Sequence, residues 1–449
     1  MGAVSTPSRQ DLNGWRNWDG RQHCFPHVIE RPQNILELRG ALDRARAAGR
    51  KVRVAGSGHS FTGLVVTDGS LVSMERMNRV LEVDPSSGVV RVEAGITIGE
   101  LNRQLDRHGL AFENLGDIDK QTLAGATATG THGTGSRLRN LSSQLLAVEL
   151  MRADGTVVAL DELGDPDGWR AARVSLGALG VVTSLTLQTV PAYRLHGVDG
   201  PAPLEQTLEQ LDQLPEQHDH FEMYWFPYSE TALLRRNDRT AREVSERSRA
   251  RAYLEDIVLV NHGLGAFSRL GRRYPVLIPA LNRLVTRIAG SSDRVDLSHR
   301  IFVSPRLVRF TEMEYAIPRI HGPEAIRAIR QGLRARRLPI NFPVEVRFVA
   351  ADDALLSPAH ARDTCYVAVH AFDQMEYEPY FRMVEEIMDG FGGRPHWGKR
   401  HFQTAASLAP RYPEWERFQQ VRARMDPEGL FANAELERVL GPVGATDSA

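Results

Sequence analysis

Residues 51–60, KVRVAGSGHS, constrain this chain more than any other stretch. The β-branched Val52 and Val54 run into Gly56-Ser57-Gly58, and His59 follows at once. Glycine has no Cβ, so the backbone turns tightly there and a ligand approaches closely. The N–H groups exposed by such a loop suit an anion such as a diphosphate. A second glycine-rich stretch, residues 125–135 (GATATGTHGTG), lies beyond several short strands and a helix. Two such loops in the first third of a chain suggest a large phosphate-bearing cofactor gripped from two sides.

The 449 residues are enough for two or three domains. Lys+Arg 55 against Asp+Glu 56 gives a net charge of -1, which argues against a nucleic-acid partner. The two cysteines, Cys24 and Cys365, supply neither a disulfide framework nor a Cys-rich metal site, and both read as inert buried thiols. The first twenty residues hold no apolar core of a signal peptide, and the first twelve read as a disordered arm. No run of about eighteen apolar residues predicts a spanning helix. The expected address is the cytoplasm, with peripheral contact to a membrane left open.

Helical spacing predicts helices over 35–49, 97–108, 204–214, 324–336, 379–388 and 415–425. Short β-rich runs at 52–54, 71–74, 80–83, 89–93, 145–151, 157–160, 181–190, 221–227, 301–310 and 342–350 predict strands, with Asp154-Gly155 as a hairpin turn. The Arg-rich 231–300 reads as surface helices, a solvated face or a contact for anionic lipid or an electron-accepting partner. The clustered antiparallel signals imply an α+β fold rather than a doubly wound sheet.

Several familiar site patterns are missing. No Gly-x-Gly-x-x-Gly with a distal acid follows the first strand, no Gly-Lys-Ser/Thr follows either loop, and there is no Gly-x-Ser-x-Gly elbow. What remains is a set of ordered motifs: 54–60 (VAGSGHS), 114–119 (NLGDID), 123–135 (LAGATATGTHGTG), 173–180 (RVSLGALG), 342–348 (FPVEVRF) and 395–401 (PHWGKRH). Together they resemble the FAD-linked vanillyl-alcohol oxidase superfamily, and within it the aldonolactone oxidoreductases, over about residues 15–440. The texture is nearest to the actinobacterial gulonolactone dehydrogenase branch and the arabinonolactone oxidases.

The resemblance implies a two-domain α+β flavoprotein. Residues 15–192 would bind FAD, 193–400 would form an antiparallel-sheet cap over the substrate, and 401–449 would return to the FAD domain. His59 matches the histidine that the family joins covalently to the flavin 8α-methyl. Gly56, Ser57, Gly58 and Ser60 would surround the diphosphate. Gly125, Thr129, Gly130, Gly133 and Thr134 would contact diphosphate and flavin, with His132 a structural histidine or a ribityl contact. Ser175, Gly177, Gly180 and Val181 or Val182 would serve the adenine side. Residues 120–135 hold no cysteine for a second covalent link.

Glu345 and Arg347 sit two apart on a strand, so both leave one face. Their apolar neighbours argue for a buried sheet, where a charged pair needs a reason. The resemblance supplies one: Glu345 meets the reacting hydroxyl, Arg347 orients the substrate, and Lys399 approaches the flavin with His396 beside it. His401 is a weaker candidate. The implied reaction is oxidation of a sugar 1,4-lactone (gulono-, galactono- or arabinono-) at the C2 hydroxyl, by hydride transfer to flavin N5, giving an ascorbate-type product. The electron acceptor would be O2 or a cytochrome- or quinone-type carrier. An alditol oxidase acting on open-chain polyols is the competing enzyme, and a non-catalytic flavin- or sugar-binding protein the competing class. No metal site is expected.

Overall fold

The computed structural model describes residues 14–245, 262–304 and 306–444; the amino-terminal arm read from residues 1–12 lies outside them. Three strands, β1 (Val28–Glu30), β2 (Val52–Ala55) and β3 (Ser70–Ser73), form a parallel sheet in the order β1-β3-β2. The crossover between β1 and β2 is α1 (Ile35–Ala47), capped by Asn34, whose side chain accepts from the Glu37 N–H. Leu38, Leu42 and Ala45 repeat at helical spacing and bury against this sheet.

A five-stranded antiparallel sheet follows, built from β4 (Val80–Asp84), β5 (Val89–Glu93), β6 (Leu145–Met151), β7 (Val157–Asp161) and β8 (Val181–Gln188) in the order β7-β6-β8-β5-β4. Helices α2 (Ile98–Arg107) and α3 (Leu123–Ala128) start on Thr97 and Thr122, whose hydroxyls accept from Glu100 N and Gly125 N. The tail helices α9 (Trp415–Met425) and α10 (Ala434–Leu440) bury Trp415, Phe418, Leu436 and Val439 in the same core as Val90, Leu101 and Leu185.

The other half is one antiparallel sheet of eight strands: β9 (Arg194–Pro203), β10 (His220–Trp225), β11 (Thr231–Thr240), β12 (Ser292–Leu297), β13 (Phe310–Pro318), β14 (Val344–Val349), β15 (Thr364–Phe372) and β16 (Arg394–Pro395). Their order is β12-β9-β11-β10-β14-β15-β13-β16. Strand alternation divides its side chains between two faces. Met223, Met313, Tyr315, Val344, Val346, Val367 and Val369 bury against α7 (Gly322–Arg336) and α8 (Glu378–Asp389). Glu222, Glu312, Glu314, Glu345, Arg347 and His370 lie in the opposite parity, and all are buried as well. A sheet buried on both faces, with one of them charged, marks where the chemistry sits.

Three sequence expectations change. Among the described residues of 301–310 only Phe310 lies in a strand: Ser298–Phe302 is helical and β13 begins at Phe310. Pro305 falls inside that window and lacks the N–H a ladder needs. The Arg-rich 231–300 contains two strands, β11 and β12, besides α5 (Leu264–Arg273) and α6 (Ile278–Ile288). In β11 the period of two is carried by Ala232 and Leu234, which enter the apolar core, while Arg235 faces the charged side. The unread β15 is a nine-residue strand, buried throughout.

Candidate active site

A long cleft runs between the two glycine segments of the cofactor half. Val54, Gly56, Ser57, Gly58, His59 and Ser60 line one wall, and Gly125 and Thr129 a second. Ser175, Gly177, Gly180 and Val182 close its far end, while Val181 is buried in the core behind it. The first loop is shaped by steric limits. Gly58 has φ of +71°, and a Cβ on Gly56 would stand 2.4 Å from Thr122 Oγ1. Such a cradle, with bare backbone on opposite walls, fits a dinucleotide of the FAD type. Arg53, unnoticed in the sequence, anchors the far end. It is buried and donates to the carbonyls of Leu64 (2.6 Å), Gly177 (3.0 Å), Leu176 (2.9 Å) and Phe431 (2.5 Å).

The 396–399 turn closes over the near end. Phe61 N donates to Gly398 O at 2.7 Å, and a Cβ on Gly398 would meet Ser60 Oγ at 3.2 Å and Thr129 Oγ1 at 3.4 Å. His59 therefore sits between this turn and Trp18, whose ring lies 6.1 Å away, nearly parallel. Burial, helped by the Lys399 cation, lowers the His59 pKa to about 4. The imidazole is neutral at physiological pH, the form in which its nitrogen is a nucleophile.

Four predicted cofactor residues of the second glycine segment do not line the cleft, and neither do His396 and Lys399 of the 396–399 turn. Gly130 turns back with φ of +75° against Pro358. Gly133 is closed off by Asn114 and Leu115: a Cβ there would stand 2.3 Å from the Asn114 side-chain oxygen and 2.3 Å from the Leu115 carbonyl. The Thr134 hydroxyl donates to Phe221 O and accepts from Phe348 N at 3.2 Å. It thus stitches the second glycine segment between β10 and β14, which leaves it no free hydroxyl for a diphosphate. His132 is buried against Tyr366, with ring centroids 3.7 Å apart, and its Nδ1 donates to Gly133 O at 2.8 Å.

The Nε2 of His132 meets Glu314 Oε1 at 3.0 Å, and His396 completes a buried trio. Burial works to raise the Glu314 pKa, but His132, by charge and hydrogen bond, outweighs it and holds the carboxyl well below its usual range. His396 Nδ1 accepts from Gly398 N at 3.0 Å, so its neutral ring carries its proton on Nε2. That nitrogen then offers a metal no lone pair. Burial lowers the His396 pKa to about 3. His401 is also buried, near Trp397 rather than the cleft.

Across the charged face of the cap sheet runs a ladder of ion pairs. Lys399 Nζ lies 2.5 Å from Glu312 Oε2. Glu312 Oε1 is 3.6 Å, and Glu345 Oε2 3.9 Å, from His370 Nε2. Arg347 Nε lies 2.5 Å from Glu345 Oε1 and 2.9 Å from Glu222 Oε2, and its Nη2 is 3.5 Å from Asp117 of the 114–119 loop. Arg235 closes the far side of Glu222 at 2.9 Å. Burial works against the Arg347 charge, but Glu345 and Glu222 outweigh it and hold its pKa well above the usual value. Burial, then Glu222 and Glu345, raise the Tyr224 pKa well above normal, so this phenol donates to Glu345 Oε1 (3.4 Å) as a neutral group. Glu345 Oε1 is saturated by Arg347 and Tyr224, whereas Oε2 is the less engaged oxygen.

The structure links His59, Lys399, His396, Glu345 and Arg347 through one run of buried charges: Lys399 acts on His59 and His396 and pairs with Glu312, and His370 spans Glu312 and Glu345. Glu222, Tyr224, Glu312, Glu314, His370 and Asp117 join them. Asp117 lies in the 114–119 motif already singled out, and Glu312, Glu314, Glu222 and Tyr224 leave a trace in the alternation of Glu312-Met313-Glu314 and Glu222-Met223-Tyr224.

Comparison with known proteins bears on this arrangement. A FAD binding domain family matches residues 26–161, and the D-arabinono-1,4-lactone oxidase family matches residues 185–439, which includes the whole charged sheet face from β10 to β16. The chain belongs to the D-arabinono-1,4-lactone oxidase family. FAD is the cofactor, and this family member is a flavin-dependent oxidoreductase. It is 49% identical over 431 residues to an L-gulono-1,4-lactone dehydrogenase of Mycobacterium tuberculosis, covering 95% of this chain and 99% of that protein. It is 36% identical to an L-gulonolactone oxidase of Mus musculus, covering 95% of this chain and 98% of the other. A solvent-stable cholesterol oxidase superimposes with a TM-score of 0.80 at 20% identity, covering 96% and 97% of the two chains, which shows the fold alone. The two-domain flavin-linked oxidase fold expected from the motifs is therefore the fold of this chain. Among the described residues no helix is long and apolar enough to cross a membrane.

Proposed function

We propose that this enzyme oxidises a sugar 1,4-lactone of the gulono-, galactono- or arabinono- series at its C2 hydroxyl, giving a product that enolises to an ascorbate-type compound. Residues 15–192 with 401–449 serve as the cofactor half and 193–400 as the substrate half, and the lactone occupies their junction. The observation that carries this reading is the buried Glu345–Arg347 pair, aimed from the cap sheet at the junction where Lys399 and His59 converge.

Bound FAD supplies a two-electron acceptor for the substrate C–H bond. Gly56, Ser57, Gly58, Ser60, Gly125 and Thr129 would hold it along the cleft, Ser175, Gly180 and Val182 would hold its adenine end, and His59 would be its covalent attachment point. Gly130, His132, Gly133 and Thr134 support the second loop from behind. Lys399 and His396 would lie beside the bound flavin, where the lysine would supply a positive charge.

Glu345 Oε2 accepts the hydrogen of the substrate hydroxyl and takes its proton, while Arg347 fixes the carboxylate's orientation. His370 is the next stop for that proton. Its Nδ1 donates to Pro343 O at 2.9 Å, which leaves Nε2 as the nitrogen facing Glu345 and Glu312. The buried ladder excludes water and keeps each carboxylate partnered. Re-oxidation falls to O2 or to a cytochrome- or quinone-type carrier; the dehydrogenase name of the 49% identical relative favours the carrier.

A steady-state panel tests the substrate class. Turnover with the three lactones and none with xylitol or sorbitol supports the reading. The reverse pattern would make the chain an alditol oxidase, and failure of every compound to bleach the bound flavin would make it a binding protein. Covalent attachment is tested by acid precipitation. Yellow colour should stay in the washed pellet and be lost in His59→Ala; colour released to the supernatant of the unaltered protein would contradict it.

A further inference from the structure

The helical pair α5 and α6 is built inside out. In α6 the buried line is Ile278, Asn282 and Thr286, at intervals of four residues, so two of its three inward positions are polar. Asn282 Nδ2 donates to Pro227 O at 2.8 Å and Ile340 O at 2.9 Å, and the Thr286 hydroxyl donates to Asn282 O at 3.2 Å. The buried line of α5 is Gly265, Ser268 and Gly271, tied down by Asn341, which donates to Ser268 O at 3.0 Å. Small and polar residues thus face the protein.

The apolar residues face out. Val276 is 86% exposed, Ile288 62%, Tyr274 49% and Leu284 45%, with Leu270 and Leu277 beside them. A soluble surface helix has the opposite arrangement. An apolar face this concentrated marks a contact surface, whereas scattered exposed leucines would need no comment. The charge around it is one-sided. Residues 262–290 contain Arg269, Arg272, Arg273, Arg283 and Arg287 and no acidic residue, in a chain whose net charge is -1. All five arginines are exposed.

We propose that α5 and α6 form a peripheral docking surface for an anionic lipid bilayer. The apolar side chains enter the headgroup–acyl boundary, and the arginines at their rim pair with anionic headgroups while their aliphatic stems lie along the apolar layer. A second copy of the chain is the poorer occupant: a two-fold contact sets the same arginines against one another, with no acid in residues 262–290 to offset them. The assignment is independent of which lactone the enzyme oxidises, and its test does not use turnover as the readout.

FAD-loaded enzyme is sedimented with vesicles of phosphatidylcholine alone and of phosphatidylcholine with phosphatidylglycerol, at low and at high salt. Leu284→Glu/Ile288→Glu and Arg283→Gln/Arg287→Gln are compared with the unaltered protein. All four positions are exposed, so flavin content and thermal midpoint should not move. The unaltered enzyme should bind the mixed vesicles, and that binding should weaken with salt. The arginine pair should lower partitioning by ~25-fold, about fivefold for each charge, and the glutamate pair should abolish it. Failure of the unaltered enzyme to sediment with mixed vesicles at low salt would overturn the proposal. So would unchanged binding in both variants. A dimer in sedimentation velocity that the glutamate pair dissolves would assign the face to a second copy instead.

Discussion

Gly56 is where the first loop meets the second, and the geometry sets what a single methyl does there. A Cβ at this position would stand 2.4 Å from Thr122 Oγ1, but 3.6 Å and 3.7 Å from the Thr122 Cβ and Cγ2. Gly56 is not among the residues with positive φ, so alanine suits its backbone and the cost is the contact alone. Opening that contact to an ordinary distance displaces the Thr122 hydroxyl by about 1 Å, an overpacking strain of roughly 1–3 kcal/mol. The same hydroxyl accepts from Gly125 N at 3.3 Å as the cap of α3, so about 1 kcal/mol of capping goes with it. Gly56→Ala should therefore cost roughly 2–4 kcal/mol. Thr122→Ala alone should cost about 1 kcal/mol, the cap. With the hydroxyl already gone, adding Gly56→Ala meets only the 3.6 Å methyl contact and should cost almost nothing. The assay is a double-mutant cycle on thermal midpoint, with FAD retained after gel filtration as a second readout. The double variant should melt with Thr122→Ala, above Gly56→Ala. Additive losses would refute the claim that the two loops touch through this atom.

Covalent loading of apoprotein with FAD should stay near its maximum from neutral pH down towards the His59 pKa of about 4, and Lys399→Met should move the acid limb up towards the usual 6.5, measured as acid-stable flavin against pH. Because the folded value lies below the unfolded one, unfolding takes up a proton between pH 6.5 and about 4, and His59 makes the apoprotein lose stability as the pH falls through that window. Glu222→Ala removes the carboxylate shared by Arg347 and Arg235 but leaves Glu345 on the first and Asp199 on the second, so it should cost about 1–3 kcal/mol in thermal or denaturant unfolding, whereas Glu222→Gln keeps the contacts and should cost less. His370→Gln should slow lactone-dependent flavin reduction by about 10²-fold at unchanged flavin content and little changed KM; an unaltered reduction rate would remove His370 from the proton path.

The local signals in the sequence were those whose physics is local. The glycine loop with His59 reads through the five further motifs that follow it in order, since a strand ending in Gly-Ser-Gly would by itself suit other phosphate-binding loops as well. The Glu345–Arg347 pair reads as buried because Phe342, Val344, Val346 and Phe348 flank it, and each of them is buried. Their partners did not read, since Glu222 faces Arg347 only through a strand register spanning more than a hundred residues. His370 lay in β15, an apolar run that periodicity alone assigns to neither helix nor strand. Arginine content hid β11 and β12 behind a helical reading. Thr134 looked like a cofactor ligand because its motif is glycine-rich, but its hydroxyl is used up in joining the two halves.

In the proposed reaction Glu345 takes the proton of a lactone hydroxyl while FAD accepts the electrons. Anaerobic mixing of the FAD-loaded enzyme with L-gulono-1,4-lactone, followed by flavin absorbance, tests it most directly. Rapid bleaching of the unaltered enzyme, and loss of that bleaching by about 10²–10⁴-fold in Glu345→Gln at equal flavin content, is the expected result. Equal bleaching rates in the two proteins would contradict it.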